Sequence, residues 1–450
     1  MTIAFSKTPF REWLEERGGV HDFHVSRIPL SELKGWGFEA GTGNIVHDSG
    51  RFFRIEGLRV RSDYGAFAEW DQPIINQPEI GLLGIIVRRV DGVLHCLMQA
   101  KMEPGNVNTL QLSPTVQATR SNYTRVHKGT GIRYLEYFAQ PRRGRVLVDV
   151  LQSEHGAWFL RKRNRNMVIE IDEDIPVDDD FCWLSLDDTR ALLAADNLVN
   201  MDARSVLSCL VGEGSRPRRP AAGAFEAALA RSYDPGAGLH DSGELLSWFT
   251  ETKALHDVTT RTVPLREVSR WHRSGGEICH EDGRYFSVVG VAVEATSREV
   301  SHWTQPLIAP HGCGVVAFLL KRVRGVLHLL VHARVEAGYL DVVELAPTVQ
   351  CVPDNYRDPA TQPLFLDYVL NADEARVHYS AILSEEGGRF YRAQSRYSLI
   401  ETGDDFSLEV PPDYRWMTAD QLGGLLKHNN YLNVQARTLL VALAALGSWR

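Results

Sequence analysis

Two spacings of apolar residues alternate along this chain of 450 residues. Phe10, Trp13 and Leu14 fall on one helical face, and Leu245, Leu246 and Phe249 do so again far downstream. Each helix is followed by an extended segment, Phe52–Val60 and Tyr285–Val293. Paired apolar runs rich in β-branched residues come next: Ile80–Val90 with Val93–Ala100, and Val315–Val323 with Val326–Ala333. Asp91-Gly92 and Arg324-Gly325 separate the members of each pair, which predicts hairpins whose glycine takes a positive φ. Further strands are predicted at Arg133–Ala139 and Arg145–Gln152, and again at Leu364–Leu370 and Ala375–Leu383. Helices are predicted near Leu186–Ala194, Met201–Leu210, Thr418–Lys427 and Val434–Leu446, the last with an amphipathic face suited to packing.

The elements recur because the sequence itself recurs. Leu112-Ser113-Pro114-Thr115-Val116-Gln117 returns 233 positions later as Leu345-Ala346-Pro347-Thr348-Val349-Gln350. The same shift carries Gly50-Arg51-Phe52-Phe53 onto Gly283-Arg284-Tyr285-Phe286, and Trp70 with Gln72-Pro73 onto Trp303 with Gln305-Pro306. It also carries Asn122-Tyr123 onto Asn355-Tyr356, and Asn200 and Arg204 onto Asn433 and Arg437. One register held over so long a stretch is an internal duplication. The expected organisation is a first module at 1–211, a linker at 212–241 with a short helix at Ala224–Ser232, and a second module at 242–450. Each module combines a mixed sheet with flanking helices, an α+β sandwich.

Composition narrows the function. A net charge of −8 gives no overall attraction to nucleic acid or anionic lipid. The basic runs Arg142-Arg143-Gly144-Arg145 and Arg161-Lys162-Arg163-Asn164-Arg165 read as solvated faces. Six cysteines without a CxxC pair read as buried thiols of a reducing compartment. No apolar run reaches a membrane span and the N-terminus lacks a signal-peptide core, so a cytoplasmic protein is expected.

No GxGxxG, GxxxxGK[ST], HExxH or GxSxG motif is present, and His21 and His24 have no third ligand nearby. No cofactor and no metal are expected. The duplicated stretch supplies better candidates. Lys101 and Glu103, like Arg334 and Glu336, lie two residues apart on an extended strand and therefore share a sheet face. A surface ion pair is the alternative. Thr115, Gln117, Thr348 and Gln350 can donate to and accept from a base or sugar hydroxyl. Asn122, Tyr123, Asn355 and Tyr356 add amides and rings, and Arg120, Arg125 and His127 make the first copy the more basic of the two. Trp70 and Trp303 could cover a flat base. The copies diverge at Gln99 and His332, Asn106 and Tyr339, and Gln111 and Glu344, so they need not share one role.

Lys101–Asn106, Leu112–Thr119, Ser121-Asn122-Tyr123 and Glu344–Gln350 closely resemble the NDP-hexose 2,3-dehydratase family over about residues 10–445, duplication included. The resemblance implies two Nudix-like modules per subunit and a homodimer. It implies a substrate such as dTDP-4-keto-6-deoxy-D-glucose, which loses its C2 hydroxyl and C3 proton as water. The 3,4-diketo-2,6-dideoxy product would pass to a separate 3-ketoreductase in antibiotic deoxysugar biosynthesis. Arg11–Gly18 looks like half of a Nudix box, but Ile3 stands where that box needs a glutamate, so the segment is read as an amphipathic helix. In the implied reaction Glu103 or Glu336 is the base or acid, with Lys101 or Arg334 stabilising the enolate. Tyr123, His127, Tyr356 and His332 are alternative proton donors. Gln99, Asn106, Thr115, Gln117, Arg120, Asn122, Arg125, Tyr339, Glu344, Thr348, Gln350 and Asn355, with both tryptophans, would line the substrate pockets. A non-catalytic nucleotide-sugar binder and a Nudix-type hydrolase are the competing readings.

Overall fold

The computed structural model describes residues 10–65, 67–119, 131–139, 143–212, 223–296 and 300–447. The first half begins with helix α1 (Phe10–Val20) and β1 (Phe23–Ile28). A small-sheet region follows, with β2 (Trp36–Phe38), β3 (Ile45–His47), β4 (Arg54–Ser62) and β5 (Glu69–Asn76). Next come β6 (Gly81–Val90), β7 (Val93–Met102), β8 (Leu110–Ser113), β9 (Val116–Ala118), β10 (Arg145–Ser153), β11 (Arg163–Glu170) and β12 (Phe181–Ser185). Helices α2 (Leu186–Ala191) and α3 (Met201–Ser208) follow, and α4 (Ala224–Ser232) precedes the second half.

The second half repeats the plan. Helix α5 (Ser242–Leu255) leads into β13 (Val258–Val263), β14 (Trp271–Ser274), β15 (Glu277–His280), β16 (Phe286–Ala295) and β17 (His302–Pro310). The larger sheet holds β18 (Gly314–Val323), β19 (Val326–Val335), β20 (Val343–Ala346), β21 (Val349–Cys351), β22 (Val377–Ser384), β23 (Gln394–Glu401) and β24 (Tyr414–Met417). Helix α6 (Leu366–Leu370) precedes β22, and α7 (Ala419–Leu425) and α8 (Val434–Leu446) close the chain.

Each half owns a large mixed sheet, ordered β10-β11-β6-β7-β12 in the first and β22-β23-β18-β19-β24 in the second. Among the described strands its one parallel pair joins β6 to β11, or β18 to β23. The hairpin turns have positive φ at both central residues, 50° and 77° at Asp91-Gly92 and 49° and 76° at Arg324-Gly325, the twist that suits a two-residue loop.

The small sheets are not self-contained. β1 of the first half pairs with β16 of the second, and β13 of the second half pairs with β4 of the first. The modules therefore exchange a strand, which the local pattern around Phe23–Ile28 and Val258–Val263 does not announce. Between them α3 and α8 pack together, so residues such as Val206, Leu207, Leu439 and Leu440 share one core. Within it the fully buried Arg204 donates to Val199 O in its own half and to Ser384 O in the other. Arg437 mirrors it, donating to Leu432 O and Ser153 O.

Backbone contact between loops of the two halves is very close. Gly105 N donates to Gly387 O at 2.7 Å, and Gly338 N donates to Gly156 O at 2.8 Å. A Cβ on Gly105 would lie 1.8 Å from Phe390 O, and one on Gly338 would lie 1.9 Å from Phe159 O.

Some expectations need correction. Arg133–Ala139 is a 3₁₀ turn at Leu135–Tyr137 rather than a strand, and Leu364–Leu370 contains α6. Tyr134 and Phe365 sit before these turns at φ 61° and 65°, which breaks an extended run whose aromatic residues resembled a buried strand. Lys162 is only 6 % exposed rather than part of a solvated face. Among the cysteines, Cys96 and Cys182 are buried but Cys313 is exposed. No described helix is long and apolar enough to cross a membrane.

Gly338→Ala should destabilise the protein by about 1–3 kcal/mol through overpacking, read as a lowered thermal midpoint. Gly41→Ala, with nothing within 4 Å of its added Cβ, should leave that midpoint unchanged.

Candidate active site

The Leu-x-Pro-Thr-Val-Gln stretch crosses between two strands. In the first half β8 pairs with the end of β7, while β9 pairs with the start of β6. The chain thus forms a wedge where the hairpin strands part. Thr115 fills the gap: its hydroxyl donates to Leu97 O on β7 and accepts Ile86 N–H on β6 at 3.0 Å. Thr348 does the same between Leu330 O and Leu319 N, the latter at 2.9 Å. These hydroxyls serve the sheet, and we leave both threonines out of the proposed pocket.

The wedge delivers the following glutamine to a carboxylate. Gln117 Nε2 donates to Glu103 Oε1 at 2.7 Å, and Gln350 Nε2 donates to Glu336 Oε1 at 3.0 Å. The glutamine oxygens are held in turn. Gln117 Oε1 accepts from Ser113 Oγ at 3.0 Å and from Asn200 Nδ2 at 3.4 Å. Gln350 Oε1 accepts from Asn433 Nδ2 at 2.7 Å. Asn200 and Asn433 also cap α3 and α8, accepting from Ala203 N and Ala436 N. Each helix start therefore orients an amide that orients a buried carboxylate.

A cation stands beside each carboxylate. Arg334 Nε donates to Glu336 Oε1 at 2.8 Å, and Lys101 Nζ lies 3.8 Å from Glu103 Oε1. The structure thus brings together Lys101, Glu103 and Gln117 in one place, and Arg334, Glu336 and Gln350 in another.

The other half completes each place. Glu386, beside Gly387, and Arg389 reach the Glu103 site from the second half, where they meet Lys162 and Glu154 of the first. Burial pushes the Glu386 and Glu154 carboxyls up to about 7, and burial lowers Lys162. At the other place, Tyr339 OH accepts from Asn433 Nδ2 at 3.2 Å and its ring packs on Gly156. His332 is 8 % exposed, stacks on Tyr414 at 4.3 Å, and meets Tyr64 of the first half: Tyr64 OH lies 2.6 Å from His332 Nε2. Asp413 Oδ2 lies 3.1 Å from the same nitrogen and accepts from Tyr64 OH at 3.4 Å.

Beside this cluster a cleft of about 480 Å³ is lined by Arg284, His311, Asp354, Asn355, Tyr356 and Arg357. Asn355 Oδ1 accepts Tyr285 N–H at 2.9 Å, fixing the Gly-Arg-Tyr turn whose Tyr285 has φ 69°. Tyr356, its phenol raised by burial, lies within electrostatic reach of Arg334 and Glu336 and so joins cleft to carboxylate.

Other predicted residues make structural contacts of their own, and two of them border the sites: Asn106 meets Gly387 beside Glu103, and Glu344 lies within electrostatic reach of Glu336. Trp70 and Trp303 donate to Gln72 and Gln305 Oε1, each at 2.9 Å. Those glutamines hold the crossing loops at Ala157 O and Gly388 O. Asn106 donates to Thr109 O at 3.2 Å within its own turn, and Gln99 pairs with Ser113 between β7 and β8. Glu344 is fully buried at the seam, accepts from Ser153 Oγ, and is pushed up to about 8 by burial. Arg120, Asn122, Tyr123, Arg125 and His127 lie outside the described residues. Among the described residues no group of three or more His, Cys, Asp and Glu could hold a metal ion. Sequence reasoning missed Tyr64, Asp413 and Glu386. Asn200 and Asn433 were visible as matched positions of the repeat, though not their task.

A buried carboxylate with its orientation locked, a cation against it and proton donors near by define a site for acid–base chemistry on a bound small molecule. The sequence model of the NDP-hexose 2,3-dehydratase family matches residues 7–210 and 242–443, and the chain belongs to that family. It is 54% identical over 444 residues to a dTDP-4-dehydro-6-deoxy-alpha-D-glucopyranose 2,3-dehydratase of Saccharopolyspora spinosa, covering 98% of this chain and 91% of that one. Proteins of the same name from Amycolatopsis orientalis and Streptomyces violaceoruber are each 51% identical. They cover 97% of this chain, and 89% and 97% of their own lengths respectively.

Glu344→Gln tests the seam. A carboxyl raised by folding contributes stability when protonated and loses it as pH climbs from about 4.5 to about 8. The variant should melt like the parent near pH 4.5 and a few degrees higher at pH 8.5. Gln111, its counterpart, already bonds Ser384 as an amide.

Proposed function

We propose that this chain is a lyase that removes the C2 hydroxyl and C3 proton of dTDP-4-keto-6-deoxy-D-glucose as water. The observation carrying this reading is the duplicated buried glutamate held between a glutamine amide and a cation. The ketone at C4 acidifies the C3 proton, so a positioned carboxylate suffices as base. The adjacent Lys101 or Arg334 offers the charge that an enolate oxygen needs. Arg284 and Arg357 along the second-half cleft suit a diphosphate. The Nudix-like reading of the modules, a homodimeric subunit arrangement, a cytoplasmic setting and delivery of the product to a 3-ketoreductase in antibiotic biosynthesis belong to the same proposal. They draw support from the family resemblance and from the mixed α+β sheets.

Incubation with the 4-keto nucleotide sugar, with and without Mg²⁺, should give a product lighter by one water, with the nucleotide still attached. Release of the nucleotide, or an unchanged mass, would overturn the reading. Glu103→Gln and Glu336→Gln are each isosteric. Loss of a general base should slow elimination by about 10²–10⁴-fold in whichever variant touches the reacting site. Full activity in both would exclude these carboxylates as the base.

A further inference from the structure

The second-half site contains a group that neither the repeat nor the family motif points to. Tyr64 follows β4 of the first half, 268 residues from His332, yet its hydroxyl lies 2.6 Å from His332 Nε2 and 3.4 Å from Asp413 Oδ2. The position 233 residues on is Ser297, so no matching phenol exists in the repeat. The His256 ring meets the Tyr64 ring edge-on at 5.0 Å, and Tyr414 stacks on His332 at an interplanar angle of 7°. Both ring partners of the phenol contact are therefore fixed. Arg334 acts electrostatically on Tyr64, His332 and Tyr356, and Glu336 acts on His332 and Tyr356. The phenol, the imidazole, the guanidinium and the carboxylate thus belong to one cluster.

We propose that Tyr64 is the catalytic acid of the second-half site, with His332 and Asp413 as positioning residues. This assignment rests on the dehydratase reading above. Glu336 takes the C3 proton, and the electron pair forms an enolate whose oxygen faces Arg334. Collapse of the enolate makes the C2–C3 double bond and breaks the C2–O bond. The Tyr64 proton goes to the departing oxygen, which leaves as water. Solvent then restores the phenol. The enol left behind tautomerises as C2 gains a proton and the C3 hydroxyl loses one. Burial raises the Tyr64 phenol and lowers the His332 imidazolium, which keeps the phenolic proton in place until hydroxide begins to leave.

Proton exchange at C3 and loss of water separate the two steps. In D₂O, Tyr64→Phe should keep enzyme-dependent C3 deuterium exchange within a few-fold of the parent, because Glu336 is untouched. Its elimination should fall at least about 100-fold. Asp413→Asn should shift the ratio of exchange to elimination in the same direction by a smaller factor. Thermal midpoints close to the parent's show that both variants are folded. A Tyr64→Phe variant that eliminates at the parental rate, or that loses exchange and elimination equally, overturns the assignment. Absence of elimination in the parent chain would overturn the dehydratase reading instead.

Discussion

Two guanidinium groups with no exposure to solvent fix how the halves of this protein meet. Arg204 and Arg437 each bind a carbonyl of their own half and a carbonyl of the other. Breaking such a bond would strand a buried charge, so the chain segments supplying those carbonyls have little freedom to drift. Those segments begin the loops Ser153–Phe159 and Ser384–Phe390. The loops bring Glu154 and His155, and Glu385 and Glu386, to the junction. Burial opposes a charge on His155, yet Glu385 at 3.0 Å raises it, a pairing made across the halves. The pockets inherit their shape from this seam.

The two carboxylate sites share a scaffold and differ in the chemistry laid on it. The threonine wedge, the glutamine-to-carboxylate bond and the asparagine cap recur in both halves. Around them Lys101 becomes Arg334, Gln99 becomes His332 and Asn106 becomes Tyr339. The first site gathers carboxyls, with Glu386 and Glu154 both raised by burial, whereas the second gathers rings and hydroxyls. Divergence has also touched the orienting bonds, since Ser113, which donates to Gln117, is Ala346 in the second half, while the bonds from glutamine to carboxylate and from asparagine to glutamine are kept.

Local pattern was a good guide where the cause is local. The Asp91-Gly92 turn, the Val434–Leu446 helix and the short helix at Ala224–Ser232 follow from turn chemistry and periodicity, and each stands where expected. The pairing of each Lys/Arg-x-Glu unit was legible too, since two residues on a strand share a face. What stayed hidden depends on distant partners. Nothing in Phe23–Ile28 names the sheet it joins. Thr115 looked like a ligand because its hydroxyl gave no sign that two strands would claim it. Tyr64 had no counterpart to draw attention to it, and only folding brings it to His332.

The exchanged strands have an evolutionary consequence. A protein in which each half lends a strand to the other has the topology of a strand-swapped dimer whose subunits were later joined end to end. The two copies have diverged in sequence, yet each still completes the other's sheet. A change near Tyr64 in the first copy acts on the pocket of the second, and a change near Glu386 in the second acts on the pocket of the first. Neither copy can specialise without the other's sequence recording it.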